Sequence, residues 1–166
     1  PVTGITKPYV IAINHSVTTE YIDAEWQRIT FWHALDALEQ LDMDILAIGP
    51  NHDAGTRTVV HRAFMDHIIF IKSLAQAACM VVNSSAGIRE SCYFGTPVVN
   101  VGTRQNGRER GSNVLDAPYD ADAIYQAVQQ QLKHGRYPVE HIYGEGTAGA
   151  QIAKILETVE LPPVQK

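Results

Sequence analysis

Short apolar runs alternate along this chain with longer amphipathic stretches. Tyr9-Val10-Ile11-Ala12-Ile13-Asn14 is a continuous run of strand length, the pattern of a strand buried on both faces. Ile45-Leu46-Ala47-Ile48, Met80-Val81-Val82 and Pro97-Val98-Val99-Asn100-Val101 repeat it, and Asn113-Val114-Leu115 reads as a last short strand. Between these runs the period changes. Phe31, Trp32, Leu35 and Leu38 recur at spacings of three and four and predict a helix, with Asp23 placed to cap it. A second helix is expected from about Thr56, and Ile71, Leu74, Ala75 and Ala78 mark one face of a third. Ile124, Ala127, Val128 and Leu132 define one further stripe. Ile152, Ile155, Leu156 and Val159 define another, with Thr147 as its cap, and Leu161-Pro162-Pro163 ends regular structure.

Strands alternating with helices imply a parallel sheet covered on both faces by right-handed crossovers. The expected fold is therefore α/β, a three-layer, doubly wound, Rossmann-like domain over residues 1–160, followed by a tail at 161–166. A chain of 166 residues can bury one proper core and is short for two. In such sheets ligands bind beyond the carboxyl ends of the strands. Polar loops collect there: His15 after the first run, Asn51 and Asp53 after the second, Ser84 and Ser85 after the third, Arg104 after the fourth.

Asn83-Ser84-Ser85-Ala86-Gly87-Ile88-Arg89-Glu90 is the most informative of these loops. A strand followed by a small, glycine-containing turn and a helix builds an anion cradle, because the first amide groups of a helix lack internal partners. Ser84 or Ser85 can cap that helix and also offer a hydroxyl to phosphate. Glu90, about one and a half turns further in, can accept from two adjacent sugar hydroxyls. Arg104 can add a charge-assisted phosphate contact, and His15 can serve as proton donor near physiological pH. Each residue also has a plainer reading. The octapeptide is equally a capped helix with a solvent-exposed Arg-Glu pair, and His15 a structural histidine. Arg104, Arg108 and Arg110 could form a solvated loop, and Asn51 and Asp53 are turn formers beside Pro50 and Gly55.

Composition removes several function classes. The apolar fraction is 45% and no run approaches membrane-spanning length, so no membrane partner is expected. A net charge of -5 without lysine-arginine clusters argues against nucleic acid. Cys79 and Cys92 lack CxxC spacing and read as buried thiols in a reducing compartment, and seven scattered histidines give no metal-ligand spacing. With no signal peptide at the start, a cytoplasmic location is expected. Neither GxGxxG after the first run nor GxxxxGK[ST] is present, which argues against a dinucleotide site, excludes a P-loop and leaves no cofactor expected.

Five motifs in order carry a family resemblance. They are Asn14-His15-Ser16-Val17-Thr18-Thr19, Pro50-Asn51-His52-Asp53-Ala54-Gly55, Asn83 to Glu90, Phe94-Gly95-Thr96-Pro97-Val98-Val99-Asn100, and Gly102-Thr103-Arg104-Gln105-Asn106-Gly107-Arg108-Glu109. Together they resemble the C-terminal half of UDP-N-acetylglucosamine 2-epimerases, most of all the hydrolysing branch that makes N-acetylmannosamine and UDP for sialic acid synthesis or acts on related UDP sugars. The resemblance implies a GT-B arrangement, two Rossmann-like halves facing across a cleft, with UDP held mostly by the C-terminal half. It implies that Ser84 and Ser85 hold the diphosphate, Glu90 the ribose and Arg104 the phosphates, while His15 and Asn51 line the reacting end and Asp53 stands beside them. The implied partners are UDP or a UDP sugar and the N-terminal Rossmann-like half, which this sequence lacks together with its acid/base carboxylates. The family commonly dimerises, which leaves a homodimer open. On that reading the isolated chain turns over little or nothing. A stand-alone nucleotide-binding or regulatory module and the C-terminal half of a GT-B glycosyltransferase are the alternatives.

The sequence also departs from the family. Between Val60 and Ile71 the family has a strand and loop, part of which contacts uracil, and here His61 to His67 fill the interval. A sheet without that strand would carry a hole or a changed order. Arg57 is retained in kind after the Asp-Ala-Gly turn, but His61 and Phe64 stand where arginines for feedback regulation are expected.

Overall fold

The computed structural model describes residues 4–49, 59–62 and 65–159. Six strands pair in parallel into one sheet: β1 (Tyr9–Ile13), β2 (Asp44–Ile48), β3 (Val59–Arg62), β4 (Cys79–Val82), β5 (Val98–Val101) and β6 (Val114–Ala117). Their order is β3-β2-β1-β4-β5-β6. The chain winds outward from β1 to β3 and then returns to lay β4 on the other side of β1. That reversal opens a crevice at the carboxyl ends of β1 and β4, where doubly wound sheets bind ligands.

Two-sided burial of the central strands explains their unbroken apolar runs. Val10 and Ala12 of β1 face one layer with Phe31, Leu35 and Leu38, and with Ile124 and Val128. Tyr9, Ile11 and Ile13, one residue out of phase, face the other layer with Leu74 and Ala77. The first layer is built by α1 (Ala24–Asp36) and α4 (Ala121–His134), the second by α2 (His67–Gln76) and the single turn α3 (Ala86–Arg89). Burying each of these large side chains stabilises the fold by about 1.5–3 kcal/mol.

Three local expectations change. The sheet has no hole: β3 pairs with β2 from Ile45↔Val59 to Ile48↔Arg62, so the shortened interval still supplies its edge strand. The β-branched pair Val59-Val60 favours this strand over the continuation of a helix begun near Thr56, a residue outside the described ones. Asp23 does not cap α1 with its side chain, because a 3-10 turn, Thr18–Asp23, runs straight into the helix. Asp23 has φ -92° and ψ -2° instead of the extended backbone a capping side chain needs, and Ala24 N–H is satisfied by Tyr21 O. Asp66 instead caps α2, its Oδ1 accepting from Ile68 N at 2.9 Å and Ile69 N at 3.4 Å, and the helix ends at Gln76, short of Ala78.

The last helix, α5 (Ala148–Thr158), is exposed along its whole length. Thr147 occupies its N-cap position but makes no capping bond, since its hydroxyl accepts from the Gln151 side chain at 2.9 Å. Among the described residues no helix is long and apolar enough to cross a membrane.

Candidate functional site

At the reversal point the loops after β1, β4, β5 and β6 meet on one residue, Asn83. Its side chain is fully buried. Oδ1 accepts the His15 backbone N–H at 2.8 Å, and Nδ2 donates among Asn14 Oδ1 (2.9 Å), His15 O (2.7 Å) and Tyr119 Oη (3.0 Å). Its carbonyl accepts from Gln105 Nε2 at 2.7 Å and from Arg104 Nη1 at 3.1 Å. A buried amide with every group engaged has one orientation, so it fixes these four loops relative to one another. Sequence reasoning included Asn83 in a motif but gave it no role. The signal was a polar residue directly ending a fully buried run.

His15 is half-buried beside this hub. Burial, and then the Arg104 charge, hold its imidazole below the usual histidine pKa, so it is neutral at physiological pH. Arg104 is exposed apart from its bond to the strand end. His15, Ser84, Ser85 and Arg104 thus lie at the same end of the sheet.

The serine turn is tighter than the expected helix. α3 is one α-helical turn, followed by a 3-10 turn, Ser91–Phe94, which stops at Gly95 with φ 60°. Ser84 Oγ accepts from Ala86 N at 3.4 Å, and Ser85 occupies the N-cap position without a side-chain capping bond. Gly87 lets this turn lie directly on the sheet, because a Cβ there would sit 2.3 Å from Val82 Cγ2.

Glu90 points elsewhere. It lines a cleft of about 540 Å³ between the start of α2 and the segment around Tyr143, with His67, Arg89, Tyr93 and Phe94. Its Oε2 is buried and has no hydrogen-bond partner among the described residues. Leaving such an acceptor unmet costs about 1–3 kcal/mol. The Arg89 guanidinium lies 5.2 Å from the Tyr143 ring centroid, and the Tyr143 hydroxyl donates to Glu109 O. His15, Ser84, Ser85 and Arg104 do not line this cleft. Ser84 and Ser85 precede the α3 turn and Glu90 follows it. Asn51 and Asp53 lie outside the described residues, as do Arg57 and Phe64.

The 3-10 turn beside the cleft is held by residues that carried no sequence signal. The Arg136 guanidinium donates to Ala75 O (2.5 Å), Ala77 O (2.8 Å), Phe94 O (3.2 Å) and Thr96 Oγ1 (2.6 Å), joining the end of α2 to the 3-10 turn. Tyr137 N donates to Gly95 O at 2.9 Å and Glu140 N to Cys92 O at 3.0 Å, while the Glu140 carboxylate accepts from Ser112.

The family profile described as UDP-N-acetylglucosamine 2-epimerase matches residues 3–157. A UDP-N-acetylglucosamine 2-epimerase of Neisseria meningitidis serogroup B is 30% identical over 93% of this chain and 43% of its own length. A UDP-N,N'-diacetylbacillosamine 2-epimerase (hydrolyzing) of Legionella pneumophila is 33% identical over 93% of this chain and 44% of its own. The solved structure of Methanocaldococcus jannaschii UDP-GlcNAc 2-epimerase in complex with UDP-GlcNAc and UDP matches with a TM-score of 0.73 at 14% identity, over 95% of this chain and 47% of that one. The chain spans less than half the length of these relatives.

Proposed function

The chain belongs to the UDP-N-acetylglucosamine 2-epimerase family and has the Rossmann-like fold of its GT-B C-terminal half, and on that premise we propose that it is the UDP-binding half of a hydrolysing 2-epimerase. Its substrate is UDP-N-acetylglucosamine or a related UDP sugar, and the products are a free N-acetylmannosamine-type sugar and UDP, the former a precursor for cytoplasmic sialic acid synthesis. The hydrolysing relative from Legionella and the nucleotide-bound archaeal neighbour support this reading.

The observation that carries it is Glu90, which lines the cleft just past the α3 turn from Ser84 and Ser85 and whose buried Oε2 has no hydrogen-bond partner among the described residues. That interval suits a ribosyl diphosphate: Glu90 accepts from the ribose hydroxyls while the serine hydroxyls and Arg104 meet the phosphates. Asn51 and Asp53 would border the reacting end. In the reaction the C1–O bond breaks with its electron pair leaving on the diphosphate, and a carboxylate of the other half takes the C2 proton. Water then adds across the resulting glycal-type double bond with inversion at C2. His15, neutral in the empty site, gains a proton as the diphosphate approaches and stabilises or protonates that leaving group. The exposed apolar stripe of α5, Ile152, Ile155 and Leu156, is where we place the complementary half. Without that half, turnover is slow or absent.

Calorimetric titration with UDP, UDP-N-acetylglucosamine and CMP tests the site. UDP should bind in preference to CMP, and Glu90→Ala should weaken UDP binding about tenfold or more, the scale of one or two missing charge-assisted hydrogen bonds. Equal affinity for UDP and CMP, or an unchanged Glu90→Ala variant, would overturn the reading.

A further inference from the structure

A carboxylate outside the residues assigned above joins the two loops that carry His15 and Arg104. Glu20 lies in the 3-10 turn after β1, at a break where its backbone leaves helical geometry (φ -122°, ψ 30°). Both of its oxygens are occupied. Oε2 accepts from Gln27 Nε2 at 2.6 Å, and Oε1 accepts from the Thr103 hydroxyl, eighty-three residues further along the chain. Gln27 is 5% exposed on α1, so its amide is a fixed post. Thr103 is exposed and directly precedes Arg104. The same two loops already share Asn83 at their base. Glu20 therefore adds a second fastening near their outer ends, and a loop held at two points cannot pivot about the first.

We propose that Glu20 is a positioning residue: it latches the arginine loop to the His15 loop and thereby sets the spacing between the His15 imidazole and the Arg104 guanidinium. The proposal rests on the reading that this pair faces the diphosphate. The hydrogen bonds from Thr103 and Gln27 hold the Glu20 carboxyl below its ordinary range, so it is ionised at neutral pH. The role needs a hydrogen bond on each side and not a charge. Glutamine at this position can accept from Thr103 and donate to Gln27 once the Gln27 amide is flipped.

The latch can be read in the ligand-free chain by following the His15 imidazole by NMR across pH, its resonance assigned with His15→Gln. Among the described residues the charged and titratable groups in this region are Arg104, Tyr119 and, across the latch, Glu20. Glu20→Ala and Thr103→Val should free the loop, withdraw the Arg104 charge and move the His15 midpoint up toward the ordinary histidine value. Both should weaken UDP binding about tenfold, the scale of a single charge-assisted hydrogen bond to phosphate. Glu20→Gln should bind UDP like the parent chain and should not raise the His15 midpoint. Thr103 is exposed, so its variant tests the latch even where Glu20→Ala folds poorly. An unmoved His15 midpoint in Glu20→Ala and Thr103→Val, or a Glu20→Gln variant behaving like Glu20→Ala, overturns the proposal. A midpoint that shifts as expected in a chain that binds no UDP supports the latch and overturns the nucleotide reading instead.

Discussion

Helix α4 carries the apolar stripe Ile124, Ala127, Val128 and Leu132 and α5 the stripe Ile152, Ile155 and Leu156, yet Ile124 and Val128 of α4 are fully buried whereas Ile155 and Leu156 of α5 are 60% and 67% exposed. The two stripes are equivalent as patterns, and the difference lies in what stands opposite them. α4 lies over β5 and β6 beside α1, and its Gln131 reaches into the sheet to donate to Val98 O and Asn113 O at 2.6 and 3.0 Å. α5 meets no such surface among the described residues. The ends differ in the same sense. Asp120, with extended backbone, caps α4 by accepting from Ala123 N at 2.8 Å, while Thr147 leaves the start of α5 without a side-chain cap. A stripe states that a face is to be buried, and supplies nothing to bury it against. That relatives of this chain are more than twice as long fits a partner surface contributed from elsewhere.

The comparison is most directly tested in α4. Ile124→Ala should lower the unfolding free energy of the chain by about 2–5 kcal/mol in denaturant titration, the cost of a core cavity. Asp120→Ala should cost about 0.5–2 kcal/mol, the value of an N-cap, and Thr147→Ala clearly less. Ile155→Ala and Leu156→Ala should change the stability of the isolated chain by no more than about 0.5 kcal/mol. The same two variants should weaken association with a complementary half supplied in trans, measured by calorimetry. If Ile155→Ala costs the isolated chain as much as Ile124→Ala, α5 is packed in solution and the contrast fails.

Much of the framework was legible because it is written locally. β1, β2, β4 and β5 fall on the apolar runs, and the α1 and α4 stripes face the core. β3 was not legible: it is an edge strand of four residues ending in His61-Arg62, and edge strands need no apolar run. The site divides in the same way. His15, Ser84, Ser85 and Arg104 come to one end of the sheet, as residues following parallel strands must. Glu90 faces a separate cleft across α3, because α3 is a single turn and hands over to a 3-10 turn. The bonds from Asn83 to Tyr119, from Arg136 to the end of α2 and from Glu20 to Thr103 span long stretches of sequence and have no local signature.

By itself the sequence determined the apolar-run strands and the amphipathic helices, and which face of each is apolar, because period and propensity belong to a single element. Only the tertiary structure decided what each face meets. It seated Ile124 in a core and left Ile155 exposed, engaged every group of the Asn83 amide and left Glu90 Oε2 without a partner among the described residues. Burial and hydrogen bonding are properties of pairs, and most pairs here join residues far apart along the chain.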